Sequence, residues 1–218
     1  MPEPVTIVAV GGSVMGLAAH LARRYFEIAK EVADIILGFI ALLLVMPVIA
    51  LCALLIKLSD GGPVLFSQVR VGKDGRLFTM YKLRTMRQQA ERGGVAVWAG
   101  RDDPRVLPAC RWMRRSHVDE LPQLVNVIKG DMSLVGPRPE RPEILSKLER
   151  TYPDVRRRLS VRPGITGLAQ VRRGYDTTVE AFREKLVADL EYIQARKWSL
   201  DLRIMLATFT KLNDKLAR

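Results

Sequence analysis

The chain has 218 residues and a mass of 24.5 kDa, is 48% hydrophobic and 6% aromatic, and carries 35 Lys and Arg against 23 Asp and Glu for a net charge of +12. That size suits one domain, and the apolar content excludes a chain too polar to collapse. Two cysteines, Cys52 and Cys110, exclude a disulfide scaffold, and two histidines, His20 and His117, leave zinc-type chemistry short of ligands, so any metal is expected to be a hard cation on carboxylates.

In chain order, Val5–Val10 followed by GGSVMG imitates a strand and nucleotide-binding turn, but Ser13 stands where the dinucleotide fingerprint needs glycine. Leu17 to Lys30 reads as an amphipathic helix. Ile35 to Ile56 then runs 22 residues without a charge, against the roughly 20 that cross a bilayer as a helix. The run starts too far inside the chain, with no small-residue site after it, for a cleaved signal. Pro47 in its middle predicts a kink or break. Arg23, Arg24 and Lys30 precede the run and Lys57 follows it. Basic flanks on both sides suit a re-entrant hairpin, while a kinked single crossing stays open.

Asp60-Gly-Gly-Pro63 is a breaker. Alternating residues on either side of Lys73-Asp74-Gly75 then predict a β-hairpin. Residues 87–103 lack periodicity and read as a loop. Helices are expected over 104–115, 119–129, 141–150, 178–196 and 199–216. The last two show helical spacing at Val179, Phe182, Leu186, Leu190 and Ile193, then at Leu202, Met205, Leu206, Phe209 and Leu212. The fold class is mixed α/β: a helix-rich domain around a small β-hairpin, plus the inserted helix.

Residues 1–60 carry 4 basic and 5 acidic side chains, so the +12 lies wholly in residues 61–218. Such an excess points to an anionic partner, although basic surfaces also serve solubility alone. Asp119-Glu120 ahead of Pro122 could be plain helix capping. Their surroundings argue for more: Arg111, Arg114 and Arg115 precede, Gly136-Pro-Arg-Pro139 follows, then Arg156-Arg-Arg158 and Arg162-Pro-Gly-Ile-Thr-Gly167. Acidic pairs amid arginines suit phosphoryl chemistry, in which cations hold phosphate and carboxylates bind Mg²⁺ or attack phosphorus. A Walker loop is excluded, since Ser67 and Asp74 occupy its glycine and Ser/Thr positions around Gly72-Lys73.

The blocks GGPVLFSQVRVGKDGRLFTMYKLRTM, RRSHVDELPQLVNVIKGDMSLVGPRPE, VRPGITGLAQV and DLEYIQARKWSLDLRIM resemble, in order and over residues 28–212, the bacterial sugar transferases of the monotopic polyprenyl-phosphate phosphoglycosyl transferase superfamily. The resemblance implies transfer of a sugar-1-phosphate from a UDP-sugar to polyprenyl (undecaprenyl) phosphate with release of UMP. This would be the first membrane step of exopolysaccharide, capsule, O-antigen or glycoprotein glycan assembly. It implies Asp119 as nucleophile forming a covalent phosphosugar intermediate, and Glu120, with Asp119, as ligand of Mg²⁺. Lys82, Arg84, Arg114 and Arg138 would lie around phosphate and nucleotide.

The resemblance also favours the re-entrant helix broken at Pro47, with both termini and the catalytic domain on the cytoplasmic face of the bacterial inner membrane. The divisions expected are residues 1–31 as an N-terminal extension and amphipathic helix, 32–58 as the re-entrant helix and 59–218 as the catalytic domain; a homodimer is compatible with them. Three departures stand out: Met46 replaces a common Ser, Leu168 a common Trp, and Gln170-Val-Arg-Arg-Gly-Tyr175 a common Asn-Gly-Arg continuation. No substrate role is therefore carried over to Arg172 or Arg173. The alternative is a membrane-anchored nucleic-acid or anionic-ligand binding protein without catalysis. Nucleic acid is not expected, because the basic stretch 156–162 has no aromatic residue for base stacking.

Overall fold

The computed structural model describes residues 8–88, 90, 103–172 and 182–212. Helix α1, Val8–Asp60, is 53 residues long and joins the expected amphipathic helix and the apolar run into one element. The strand-like pattern at Val5–Val10 is not realised where it is described, because Val8 to Val10 are already helical. From Gly16 to Asp60 this helix is long and apolar enough to cross a membrane by length and composition. The expected interruption at Pro47 is not seen: the helix continues through it. Proline removes one donor from a long ladder, and the turns on either side carry the helix on.

Lys30, Asp34, Gly38, Cys52 and Ile56 are buried along one side of α1, at helical spacing. On other sides Leu37, Phe39, Leu44, Leu51 and Leu54 stay exposed. At Gly38 a side chain would meet Val127 Cγ1 at 3.1 Å, so the missing Cβ lets α1 lie close against the domain.

The hairpin forms as expected, from β1, Leu65–Val71, and β2, Leu77–Leu83, with Val71 opposite Leu77 and Leu65 opposite Leu83. Its turn needs two left-handed residues, Asp74 (φ 55°) and Gly75 (φ 79°), types that tolerate this conformation. Strand alternation puts Phe78, Met80 and Lys82 on one face of β2. Met80 packs with the buried Val127 and Met132, with Phe78 against them.

Prolines shorten the next elements. The helix expected over 104–115 is a 3₁₀ turn, Pro108–Cys110, and the short α2, Arg111–Arg115. That expected over 119–129 is a 3₁₀ turn, Val118–Glu120, and α3, Gln123–Ile128, separated at Pro122. Helix α4, Pro142–Thr151, agrees with expectation. Most of the loop expected over 87–103 lies outside the described residues.

A second strand pair escaped the sequence reading: β3, Ser133–Val135, runs parallel to β4, Gly164–Thr166. Three residues are too few to show alternation. Glycines make the pairing possible, since a Cβ on Gly164 would sit 2.1 Å from the Gly136 nitrogen. An eight-residue 3₁₀ segment, Pro153–Ser160, precedes β4. The short α5, Leu168–Arg172, follows it.

Helices α6, Phe182–Ala195, and α7, Trp198–Leu212, close the chain, and the expected ends at 178–181 and 213–216 lie outside the described residues. Phe182 and Leu186 enter the core as expected. In α7, however, Ile204 is the buried contact, while Leu202, Leu206 and Phe209 are exposed. The reason lies in Asp201, which turns that side of α7 toward Lys30 and Tyr192.

Candidate active site

The 3₁₀ turn Val118–Glu120 begins after His117, whose left-handed backbone (φ 57°, ψ 16°) reverses the chain out of α2. The Glu120 amide donates to the His117 carbonyl at 3.0 Å, fixing the turn. Both carboxylates of the dyad are buried, with Asp119 7% and Glu120 6% exposed.

The two carboxylates are held differently. Glu120 Oε1 accepts from Lys82 Nζ at 2.7 Å and from Arg138 Nη2 at 2.6 Å, while its Oε2 accepts from Arg138 Nη1 at 3.0 Å. Burial works against its charge, but the Arg138 guanidinium and the Lys82 ammonium outweigh burial and hold its carboxyl well below the usual range. Burial, followed by the adjoining Glu120 charge, pushes Asp119 up to about 6. Lys82 is lowered by burial despite the pull of Glu120. Among the described residues no side chain forms a hydrogen bond or ion pair with Asp119.

Of the expected basic residues, Lys82 and Arg138 therefore converge on Glu120. Arg114, in the last turn of α2, forms no ion pair among the described residues, and its charge is close enough to act on Asp119. Arg84 points elsewhere. It forms a two-pronged ion pair with Asp60 at the end of α1 and donates to the Pro63 carbonyl. In the expected arginine cluster, Arg156 pairs with Glu149 and Arg157 with Asp154 at the surface, while Arg158 is buried.

Two supports went unread in the sequence. Asn126, fully buried, accepts from the Tyr81 amide at 3.1 Å and donates to the Thr79 carbonyl at 2.7 Å. Its carboxamide takes the place of a neighbouring strand on β2 and so sets Lys82 against the dyad. An asparagine near the end of an apolar helix was the available signal. The second is Glu140, which Lys185 and Arg158 approach behind the Pro-Arg-Pro loop.

No group of three or more His, Cys, Asp or Glu side chains able to hold a metal occurs among the described residues. Mg²⁺ characteristically takes one or two carboxylates together with substrate phosphates and water. Both Glu120 oxygens already accept from cations, so Asp119 is the carboxylate this site offers directly, and Glu120 would first release one partner. A Mg²⁺ here would rest on Asp119 and be completed by phosphate oxygens and water.

Arranged in this way, a buried carboxylate pair among fixed cations has the chemistry that suits an anionic ligand. The chain belongs to the bacterial sugar transferase family, whose family model matches residues 25–215. It is 44% identical over 196 residues to the UDP-glucose:undecaprenyl-phosphate glucose-1-phosphate transferase of Caulobacter vibrioides, covering 88% of this chain and 72% of that protein. It is 41% identical to the UDP-N-acetylgalactosamine-undecaprenyl-phosphate N-acetylgalactosaminephosphotransferase of Aeromonas hydrophila, over 88% of this chain and 45% of the relative. The UDP-glucose:undecaprenyl-phosphate glucose-1-phosphate transferase of Escherichia coli K12 is 40% identical over 85% of this chain, which spans 40% of its length. The latter two relatives are thus more than twice as long as the part matched.

Proposed function

We propose that the protein transfers a sugar-1-phosphate from a UDP-sugar to undecaprenyl phosphate, in two steps through Asp119. An Asp119 carboxylate oxygen attacks the phosphorus that bears the sugar, the bond to the uridine-side phosphate breaks, and UMP leaves. A phosphate oxygen of the lipid then attacks the same phosphorus, regenerating the carboxylate and giving a lipid diphosphate sugar. The observation that carries this reading is the asymmetry of the dyad: Glu120 is clamped by Lys82 and Arg138, while among the described residues no side chain clamps Asp119 in that way. The relatives' names, which specify UDP-sugars and undecaprenyl phosphate, support the substrate class.

Lys82, Arg138 and Arg114 reduce the repulsion between the carboxylate and the diphosphate. Bound Mg²⁺ would add the same neutralisation at the phosphate oxygens. A covalent intermediate lets the soluble nucleotide leave before the lipid enters, so one small site serves both substrates. Residues 59–218 act as the catalytic part and residues 32–58 as its anchor.

The anchor is read as re-entrant, with the site on the cytoplasmic face of the inner membrane. Support comes from α1 being gripped at both ends by one domain. Glu27 pairs with Arg196 at 2.7 Å and Lys30 with Asp201 at 2.7 Å, while Asp60 pairs with Arg84 beyond the apolar run. A crossing helix would carry those ends to opposite sides of a hydrocarbon layer about 30 Å thick. At Pro47 a bend costs least, since one ladder bond is already missing.

The test is to incubate purified protein with a panel of UDP-sugars, Mg²⁺ and undecaprenyl phosphate. The expected result is UMP release tied to lipid product, and a phosphosugar adduct by intact mass when the lipid is withheld. Absence of UMP release with every sugar would overturn the reading.

A further inference from the structure

The loop that delivers Arg138 to Glu120 has an unusual problem. Pro137 and Pro139 lack N–H groups, so the loop cannot brace itself through its own amides. The carbonyls of residues 137–140 are instead held from outside. The Pro137 carbonyl accepts from the Gly164 amide at 2.9 Å, and the Glu140 carbonyl from the Val71 amide at 3.0 Å. Arg70 Nη1 donates to the Pro139 carbonyl at 3.0 Å, and Arg158 Nη2 to the Arg138 carbonyl at 2.9 Å.

Of the two arginine donors Arg158 is the more deeply placed, at 3% exposure. Its Nε donates to Asp189 of α6 at 2.7 Å, and its guanidinium carbon stands 5.1 Å from the centre of the Phe182 ring. A side chain so enclosed does not meet a substrate, yet it holds the one peptide from which the Glu120 clamp projects.

We propose that Arg158 is a positioning residue for the transfer reaction, acting through Arg138 with Asp189 as its counter-ion. This rests on the functional reading above. Tilting the Arg138 peptide swings a long side chain, and a displacement of about 1 Å at reacting groups can cost ~10²-fold in rate. The fork of an arginine is needed because it serves the carbonyl and Asp189 together, whereas a lysine ammonium is a point charge without that planar geometry.

Arg158→Lys tests this in three measurements. Amide hydrogen exchange should rise across residues 136–141, whether or not a substrate is known; unchanged exchange there overturns the proposal. Per folded enzyme, kcat for UMP release should fall about 10- to 100-fold with KM for the UDP-sugar changed less than about threefold. In an Arg138→Lys background the same substitution should lower kcat by less than about twofold, while lowering Tm as much as in the parent. A purely structural role would lower Tm and leave kcat per folded enzyme alone, and independent roles would multiply; either result overturns the proposal. Should Arg158→Lys fail to fold, Asp189→Asn leaves the arginine in place without its counter-ion and should show the same coupling at smaller size. A wild-type protein inactive with every sugar defeats the functional reading, whereas an active wild type with an unaffected Arg158→Lys defeats only this inference.

Discussion

Arg84 closes on Asp60 with two parallel hydrogen bonds, joining the last turn of α1 to the residue that directly follows β2, two beyond Lys82. Strand β2 and the residue that follows it thus hold the Glu120 carboxylate at one position and the end of α1 at another. Arg84 is 6% exposed. Removing Asp60 would leave a poorly solvated guanidinium, and removing Arg84 would empty the space beneath Gly62.

Arg84→Ala is therefore expected to destabilise the protein by about 1–2 kcal/mol, less than for a fully buried pair, because the Asp60 it leaves behind is exposed. Asp60→Asn, which still accepts one hydrogen bond, should cost less. Turnover per folded molecule should fall less than about tenfold in both, because neither residue touches the dyad. Thermal unfolding in detergent beside UMP release checks this. An Arg84→Ala protein of normal Tm and activity reduced more than about a hundredfold would return Arg84 to the substrate.

Asp119→Asn keeps the shape of the side chain and removes the attacking anion. Both the phosphosugar adduct and turnover should vanish, as for other nucleophile deletions. Glu120→Gln keeps Asp119 but loosens Lys82 and Arg138, so it should retain a measurable adduct at a rate lowered about 10²- to 10³-fold. Intact-mass spectrometry with lipid withheld separates the two. Normal turnover in Asp119→Asn would remove Asp119 from the nucleophile's role.

The residues of the dyad, the Pro-Arg-Pro loop and the hairpin were legible because each depends on local chemistry. Asp74-Gly75 announces a left-handed turn, and Asp119-Glu120 among arginines marks the candidate site. Long-range partnerships were not legible. Nothing local distinguishes Arg84, bound to Asp60, from Lys82, bound to Glu120, since both are cations two residues apart in one stretch of sequence. Likewise Arg158 reads like Arg156 until α6 supplies Asp189 at 2.7 Å. The β3–β4 pair depends on Gly136 and Gly164 meeting backbone to backbone, a contact between segments that a single sequence does not connect.

Acid should weaken the fold through Glu140. Burial opposes its charge, but Lys185 and Arg158 outweigh burial and lower it to about 2 from the usual 4.5. A depressed folded value means the contribution is complete above the unfolded pKa and is lost as pH falls toward 2. The shift corresponds to about 3 kcal/mol at full ionisation. Asp189, raised chiefly by burial, runs the other way and offsets part of this on the acid side. Tm should therefore fall between pH 5 and 3, and Glu140→Gln should flatten that limb. An acid limb unchanged in Glu140→Gln would assign the loss to other carboxylates.

The re-entrant reading makes a topological prediction at the start of α1. Leu17 is exposed, well before the ion pairs that Glu27, Glu31 and Lys30 make with Arg196, Arg162 and Asp201. These pairs hold the N-terminal part of α1 on the same domain that grips Asp60. A cysteine placed at Leu17 should thus face the cytoplasm. Cys52 and Cys110 are fully buried against Leu83 and Met113, so the background should be Cys52→Ala, Cys110→Ala, which keeps those sites apolar. In sealed spheroplasts a membrane-impermeant maleimide should leave Leu17→Cys unlabelled, and opening the membrane should expose it. Pro47→Ala restores the missing donor and removes the point where a bend would cost least, favouring a straight run whose 22 residues would reach about 33 Å at ~1.5 Å per residue. Labelling in sealed spheroplasts should then rise, to the extent that straightening competes with the ion pairs at Glu27 and Lys30. Strong labelling with Pro47 intact would mean that α1 crosses the bilayer and that its two ends cannot both be docked on one domain.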